Sequence, residues 1–328
     1  MNRKGIFSFA LHWSVGAAAL LTVMSSAPAR AEYPDRLINA IVPFGPGGPS
    51  DVVARIVAAG MANVLGQQII ILNRPGAGGN IGMGQAAHAK PDGYTLLFCS
   101  VATTQNPATY RNLPYDPVKD LVAVAIVGES PTMIGVSATK IAATNLRDFI
   151  DLAKKSPGKY NIAGAGGQLM TIEKFLLHFG LDMQIINYGS GGEAATALMG
   201  GQVDIQLNNA TTLTAGAQMG KIRLLAVAGK ERLKSFPDLP TTGEAGFPDY
   251  TDKAYVGLYV AAGTPPDIIA RLHDAANAAM QSRETDEKLR ALDYFAAPSS
   301  QADAQAFYLN EIQRWKEVAK TANIQPFD

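Results

Sequence analysis

Leu37-Ile38-Asn39-Ala40-Ile41-Val42-Pro43-Phe44, followed by Gly45-Pro46-Gly47-Gly48-Pro49-Ser50-Asp51, is the stretch on which the fold turns. The first eight residues are apolar enough to form a buried strand. The seven that follow open a helical pattern over 51–65, with Ser50 as its expected cap, Asp51 in its first turn and Gly66 as its stop. A strand that ends in glycines and opens a helix directs free backbone N–H groups and the positive end of the helix dipole at one place. That is a site for a small anion. The arrangement returns at Gly164-Ala165-Gly166-Gly167 and at Gly189-Ser190-Gly191-Gly192. One such junction could serve only a tight turn. Three of them, with Ser50, Gln168 and Ser190 beside them as side-chain donors, point to anion binding.

Strand and helix patterns alternate outward from this stretch. Strands are expected at 68–72 and 94–99, with a turn-rich loop at 73–79 and a short helix to Lys90 between them. The alternation restarts after Asp120, with strands at 122–127, 133–136, 160–163, 183–188, 203–207, 222–227 and 254–261. Helices are expected over 146–155, 168–179, 193–199, from Thr264 onward, and over the amphipathic stretch 300–321. Strands alternating with helices give an α/β class with mostly parallel sheets, and ligands of such sheets sit beyond the carboxyl ends of the strands. The last helices are expected against the first domain, which makes that domain discontinuous. Two strands then cross between lobes, near 128–136 and 250–257.

The first 31 residues read separately. Arg3 and Lys4 give a basic start, Ala17–Val23 an apolar heart, and Ala29-Arg30-Ala31 a cleavage site, the pattern of a secretory signal peptide cut after Ala31. Its removal takes away three basic side chains and no acid, leaving 25 basic against 28 acidic, a net charge of −3. Weak bulk charge argues against a nucleic-acid partner and means that an anion must be attracted locally. The single cysteine, Cys99, allows no internal disulfide; it ends a hydrophobic strand and reads as a small buried side chain.

Other chemistries fit poorly. No G-x-x-x-x-G-K-[ST] loop is present, and Gly82-Met83-Gly84-Gln85-Ala86-Ala87 does not directly follow a strand as a dinucleotide fingerprint requires. Pro46 and Pro49 remove two donors from the first junction. His88, His178 and His273 stand singly after the leader, without H-E-x-x-H or C-x-x-C, so no metal site or cofactor is expected. No G-x-S-x-G and no evident carboxylate pair offers a catalytic set, so no enzyme is expected.

The chain resembles the periplasmic substrate-binding proteins of tripartite tricarboxylate transporters, the Bug family, over nearly all of its length after the leader. The resemblance rests on Tyr33-Pro34, Ile41–Gly48 with Asp51, Asn73-Arg74-Pro75-Gly76-Ala77-Gly78-Gly79, Pro91–Leu96 and Asn106-Pro107. It continues through Gly200-Gly201-Gln202-Val203-Asp204, Leu225-Ala226-Val227, Pro237–Thr241 with Glu244 and Gly246, and Ala262-Gly263-Thr264-Pro265. It implies a two-lobed flytrap fold, each lobe a sheet flanked by helices, joined by a two-strand hinge. The implied division is signal peptide 1–31, first lobe 32–132, second lobe 133–254, and first lobe again 255–328.

The resemblance further implies a periplasmic, monomeric protein. It would capture a small carboxylate and dock on integral membrane transporter subunits; the same fold could instead serve a membrane sensor kinase. Carried over by the resemblance, the first-lobe ligand residues are Phe44, Gly47, Gly48, Ser50 and Asp51, with Thr103 and Thr104 on the loop after strand 94–99. The second-lobe residues are Ala163, Gly164, Gly167, Gln168, Tyr188, Ser190 and Asn208. For Asp51, charging the helix start is the better role, because a carboxylate repels an anionic ligand.

Departures from the family concentrate in the second lobe. They lie at Gly167, Met170, Asn187–Ser190 (where the family usually carries Pro-Tyr-Lys-Gly) and Asn208, with a further one at Tyr255. Loss of that lysine and the presence of Glu193 point to a less charged carboxylate or one bearing an amine. Gly47→Val and Gly164→Val are expected to block backbone approach of the ligand while leaving the fold intact.

Overall fold

The computed structural model describes residues 33–165 and 168–326, so the leader expected over 1–31 and the Gly166-Gly167 pair lie outside the described residues. The described residues from Arg36 onward cluster as one compact unit. In chain order this unit runs β1 (Ile38–Val42), α1 (Pro49–Leu65), β2 (Ile69–Asn73), α2 (Asn80–Ala87), β3 (Thr95–Ser100), α3 (Ala102–Thr109) and β4 (Leu121–Pro131). It continues with β5 (Met133–Ser137), α4 (Leu146–Lys154), β6 (Asn161–Ala165), α5 (Leu169–Phe179), β7 (Gln184–Tyr188), α6 (Gly191–Met199), β8 (Ile205–Asn208), α7 (Ala210–Gln218) and β9 (Ile222–Val227). It ends with β10 (Lys253–Ala261), α8 (Pro266–Gln281), α9 (Arg283–Arg290) and α10 (Gln301–Thr321).

The strands make two five-stranded sheets of the same plan, in the orders β2-β1-β3-β10-β4 and β7-β6-β8-β5-β9. In each, four strands run parallel and one runs against them: β10 in the first sheet and β5 in the second. The reversed strand is the one that has just arrived from the other sheet. β4 leaves the first sheet at its carboxyl end and becomes β5 after Thr132 alone, and β10 returns at Lys253. A strand entering by that route starts beside the carboxyl ends of its new neighbours, so it must run antiparallel to them. The carboxyl ends of both sets of parallel strands therefore face the two crossings, and each other.

Helical periodicity accounts for the cores. Val53, Ala54, Val57, Ala58, Met61 and Leu65 form the buried face of α1. α1 packs closely on α8: a Cβ on Gly60 would meet the Ala279 Cβ at 2.8 Å. In the second sheet, α4 and α5 cover one face through Phe149, Ile150, Ile172, Phe175 and Phe179, and α6 and α7 supply Ala194, Leu198 and Leu213 to a separate cluster. α10 lies on the first sheet through Tyr308 and Ile312, as its amphipathic pattern implies, and its far end carries Trp315 and Ala319 onto Met170 of α5.

α3 is a helix where the sequence reading has a loop, and α7 a helix where it assigns no element. Thr103, Thr104, Asn106 and the internal Pro107 are poor helix formers. Tertiary bonds hold α3 instead: Thr103 Oγ1 meets the Tyr259 hydroxyl at 3.1 Å, Thr104 Oγ1 the Tyr255 hydroxyl at 2.7 Å, and Asn106 Nδ2 donates to Asn80 at 2.7 Å.

One carboxylate clamps the crossings. Asp252 accepts from Thr132 Oγ1 at 2.6 Å and pairs with Lys174 Nζ of α5 at 2.9 Å. The backbone closes the same knot, with Thr132 N–H donating to Asp252, Asp252 N–H to Ala228 and Ala228 N–H to Thr132. Because both partners are largely buried, Asp252→Ala strands an ammonium and is expected to cost about 3 kcal/mol in urea unfolding. Asp252→Asn keeps an acceptor for Thr132 and should cost clearly less.

Candidate functional site

The first junction is built around a carboxylate that faces inward. α1 begins at Pro49 and its cap is Gly48, whose side chain offers nothing; Ser50, the expected cap, is instead the buried second residue of the helix. Proline suits the first helical position and sets the start two residues earlier than the Ser50 reading. Asp51 is only 2 % exposed. It accepts from Gly47 N–H at 2.9 Å, from Arg55 Nε at 2.9 Å and Nη2 at 3.0 Å, and from Asn73 Nδ2 at 2.9 Å. Burial works to raise the Asp51 carboxyl, but Arg55, Gly47 and Asn73 outweigh it and hold it below the ordinary value.

Gly47 N–H is thus consumed, and Pro49 has none. The N–H groups of Ser50 and Asp51 have no hydrogen-bond partner among the described residues, and that of Gly48 lies only loosely against the Gly45 carbonyl across the Pro46-Gly47 turn. They are the part of the junction that an anion can use. Phe44 is half-buried against the Ile41–Met83 cluster, and its carbonyl accepts from Asn73 Nδ2 at 2.9 Å.

Arg55 was not singled out from sequence, and Asn73 only as part of the resemblance, not as a site residue. Asn73 lies beside Val42 in the β1–β2 register, and its amide ties the loop after β2 to the junction after β1. The Arg55 signal was visible as an i,i+4 partner of Asp51. Arg74, next in that loop, is exposed; its one hydrogen bond goes to the Asn73 carbonyl at 3.3 Å, and it forms no ion pair among the described residues.

Thr103 and Thr104 lie in the first turn of α3, not on a loop, and are completely buried. Their hydroxyls are taken by Tyr259 and Tyr255, whose phenols burial drives upward and so keeps neutral. They brace α3 from within. Cys99 is a buried free thiol with its pKa pushed up to about 12 by burial, so no thiolate nucleophile is present there.

In the second sheet, Ala163, Gly164, Gln168, Tyr188, Ser190 and Asn208 come together at the carboxyl ends of three adjacent strands, β7, β6 and β8; Gly167 lies outside the described residues. Ala163 is buried under α6. Gln168 Nε2 donates to the Leu207 carbonyl at 3.3 Å, and Asn208 Oδ1 accepts from Asn209 N–H at 2.9 Å. Tyr188 is half-buried against the Ala163 cluster. Ser190 caps α6, accepting from Glu193 N–H at 3.2 Å, while Glu193 Oε2 accepts from Gly189 N–H at 2.9 Å. This repeats the Gly47–Asp51 bond of α1, with the carboxylate at the same third helical position.

The two glycine tests expected from sequence do not isolate ligand approach. A Cβ on Gly164 would lie 2.9 Å from Ile172 Cδ1 and 3.0 Å from Asn187 Oδ1, so Gly164 is needed for packing inside the lobe. Gly47 has open space around it but a φ of +80°, which strains any L side chain.

The family model described as the tripartite tricarboxylate transporter family receptor matches residues 53–324. The chain belongs to this family. It is 33 % identical over 308 residues to protein BugT of Bordetella pertussis, covering 92 % of this chain and 94 % of the relative. It also resembles an adipate-bound protein of R. palustris, with 29 % identity, a TM-score of 0.78, and coverage of 90 % of this chain and 100 % of that one. MatC from Rhodopseudomonas palustris, with bound malate, is 31 % identical at a TM-score of 0.73, covering 87 % and 99 %. Within this receptor family the two-sheet plan is therefore the expected architecture, with the open N–H groups of α1 on one side of the crossings and α5–α7 on the other.

The depressed Asp51 carboxyl contributes stability above its unfolded-state pKa of about 4, and that contribution is lost as pH falls through the lower folded value. Asp51→Asn is expected to be roughly 2 kcal/mol less stable at pH 7. The gap should narrow in urea titrations as pH falls below about 4, through the lowered folded value; a gap unchanged with pH would refute the charge-based account.

Proposed function

We propose that this chain is an extracytoplasmic solute-binding protein. It captures a small carboxylate-bearing metabolite between its two lobes and delivers it to a tripartite tricarboxylate-type membrane transporter. The observation that carries the reading is the set of N–H groups at Ser50 and Asp51, which are open, and at Gly48, which is only loosely held, at the end of a helix facing the other lobe. A helix start with its own acid neutralised by Arg55 attracts a carboxylate locally, which a chain of small net charge requires. The adipate and malate held by relatives at 29 % and 31 % identity support a carboxylate as the ligand.

In this reading residues 1–31 are a cleaved export signal, the lobes divide near Thr132 and Ala254, and the protein is a binder rather than a catalyst. The first lobe offers backbone donors around Phe44, Gly48 and Ser50, with Arg74 as an added cation. The second offers Gln168, Tyr188, Ser190 and Asn208. Ligand affinity for the closed arrangement drives the lobes together about the Asp252 clamp.

Gly48 supplies a clean test. Its φ of −74° and ψ of 164° suit proline, and an added Cβ meets only the Gly45 carbonyl, at 3.7 Å. Gly48→Pro removes one donor and Gly48→Ala keeps it. With the tightest-binding member of a panel of mono-, di- and tricarboxylates, calorimetry should show at least a tenfold loss for Gly48→Pro and less than threefold for Gly48→Ala. Equal affinities in the two variants would remove this N–H from the site.

A further inference from the structure

The two lobes carry the same junction with opposite electrostatics. In α1 the third helical residue, Asp51, accepts the N–H of the glycine before the cap and is neutralised by a two-pronged pair with Arg55. In α6 the third helical residue, Glu193, accepts the N–H of the glycine before the cap through Oε2, and among the described residues it forms no ion pair. A helix start contributes about half a positive charge. At α1 that half charge survives, because Asp51 and Arg55 cancel. At α6 the full charge of exposed Glu193 exceeds it, so the start of α6 is net negative.

The loops at this end of the second sheet supply no cation to correct this. The segments that follow β6, β7 and β8, residues 165–170, 187–193 and 208–212, contain no Lys, Arg or His. A second, independent acceptor lies beneath the same turn. Gln206 is completely buried on β8, two residues before Asn208 and on the same face. Its Nε2 donates to the Gly191 carbonyl at 3.1 Å, and its Oε1 has no partner. A buried amide oxygen left unpaired is costly, so it calls for a donor. The first lobe has the complementary polarity: open N–H groups at α1 and the exposed, ion-pair-free Arg74.

We infer that the second lobe recognises the ammonium end of a ligand whose carboxylate lies on the first lobe. The ligand class is then a straight-chain amino acid with its charges at opposite ends, and Glu193 is the residue that selects it over a dicarboxylate. The inference rests on the carboxylate reading of the first lobe. Glu193 Oε2 keeps its structural bond to Gly189, and Oε1 is left for the ammonium. A dicarboxylate such as adipate would place its second charge against Glu193.

The test is calorimetry on the full mature protein with ligands of three to six carbons, matched at each length: the unsubstituted monocarboxylate, the ω-hydroxy acid, the ω-amino acid, the dicarboxylate, and the alkylamine lacking a carboxylate. The ω-amino acid should bind tightest. Glu193→Gln, which preserves the Gly189 bond, should weaken it at least tenfold while changing the unsubstituted acid less than twofold; thermal melting within 2 °C of wild type would show the fold to be kept. Tightest binding by the dicarboxylate or the ω-hydroxy acid, or an ω-amino acid affinity unmoved by Glu193→Gln, would overturn the inference and leave the carboxylate reading standing. An alkylamine that binds as well as the ω-amino acid would overturn the carboxylate reading itself, and no binding in any series would overturn both.

Discussion

The arrangement depends on how the chain crosses between its two sheets. Thr132 and Asp252 meet where the strands pass, and the Asp252 carboxylate binds one crossing to the other and both to Lys174 of α5. Since each arriving strand runs against its new neighbours, the carboxyl ends of both sheets, and the helices that start there, are turned toward this knot. Other contacts join the two sheets' layers. Trp315 and Ala319 of α10 rest on Met170 of α5, and Ser235 Oγ donates to Asp293 at 2.7 Å between two turns. The separation of the two sheets and their helices is thus governed at a few residues.

In the proposed reading, the junctions divide the work of holding an anion from the work of holding themselves together. In α1 the acid, the arginine and Asn73 fix the loop, and only backbone N–H groups are left over. In α6 the fixing is done by Ser190 and Glu193, without a cation. Equivalent backbone geometry therefore presents different charge to the cleft, and charge is what distinguishes one carboxylate from another. Discrimination of this kind needs little new structure: one side chain at the third helical position changes the sign of the local field.

Much of this was legible beforehand, for physical reasons. Strand and helix periodicities, glycine stops and the proline at the start of α1 are local signals, and the elements they mark are present within a residue or two at most ends. The role given to Asp51 also follows from local chemistry, since an acid early in a helix is stabilised there. α3 was missed because its stability is not local. α3 contains Thr103, Thr104 and Pro107 and is kept helical by hydroxyls bonded to Tyr255 and Tyr259, roughly 150 residues further along the chain. The same bonds turn the two threonines inward. Gly164 looked like a point of close ligand approach, yet the space beside it is occupied by Ile172 and Asn187.

The sequence by itself determined the α/β class, the family, and the strand–glycine–helix junctions, because each depends on neighbours within one turn or one strand. It also determined that no cation stands in the three loops of the second lobe. Only the tertiary structure decided which donors are spent and which are free. Asn73 reaches Phe44 and Asp51 across the β1–β2 pair, and Gln206 reaches Gly191 from β8. Hydrogen-bond partners are chosen by proximity in space, and proximity between strands is set by sheet order and register, which local sequence does not encode.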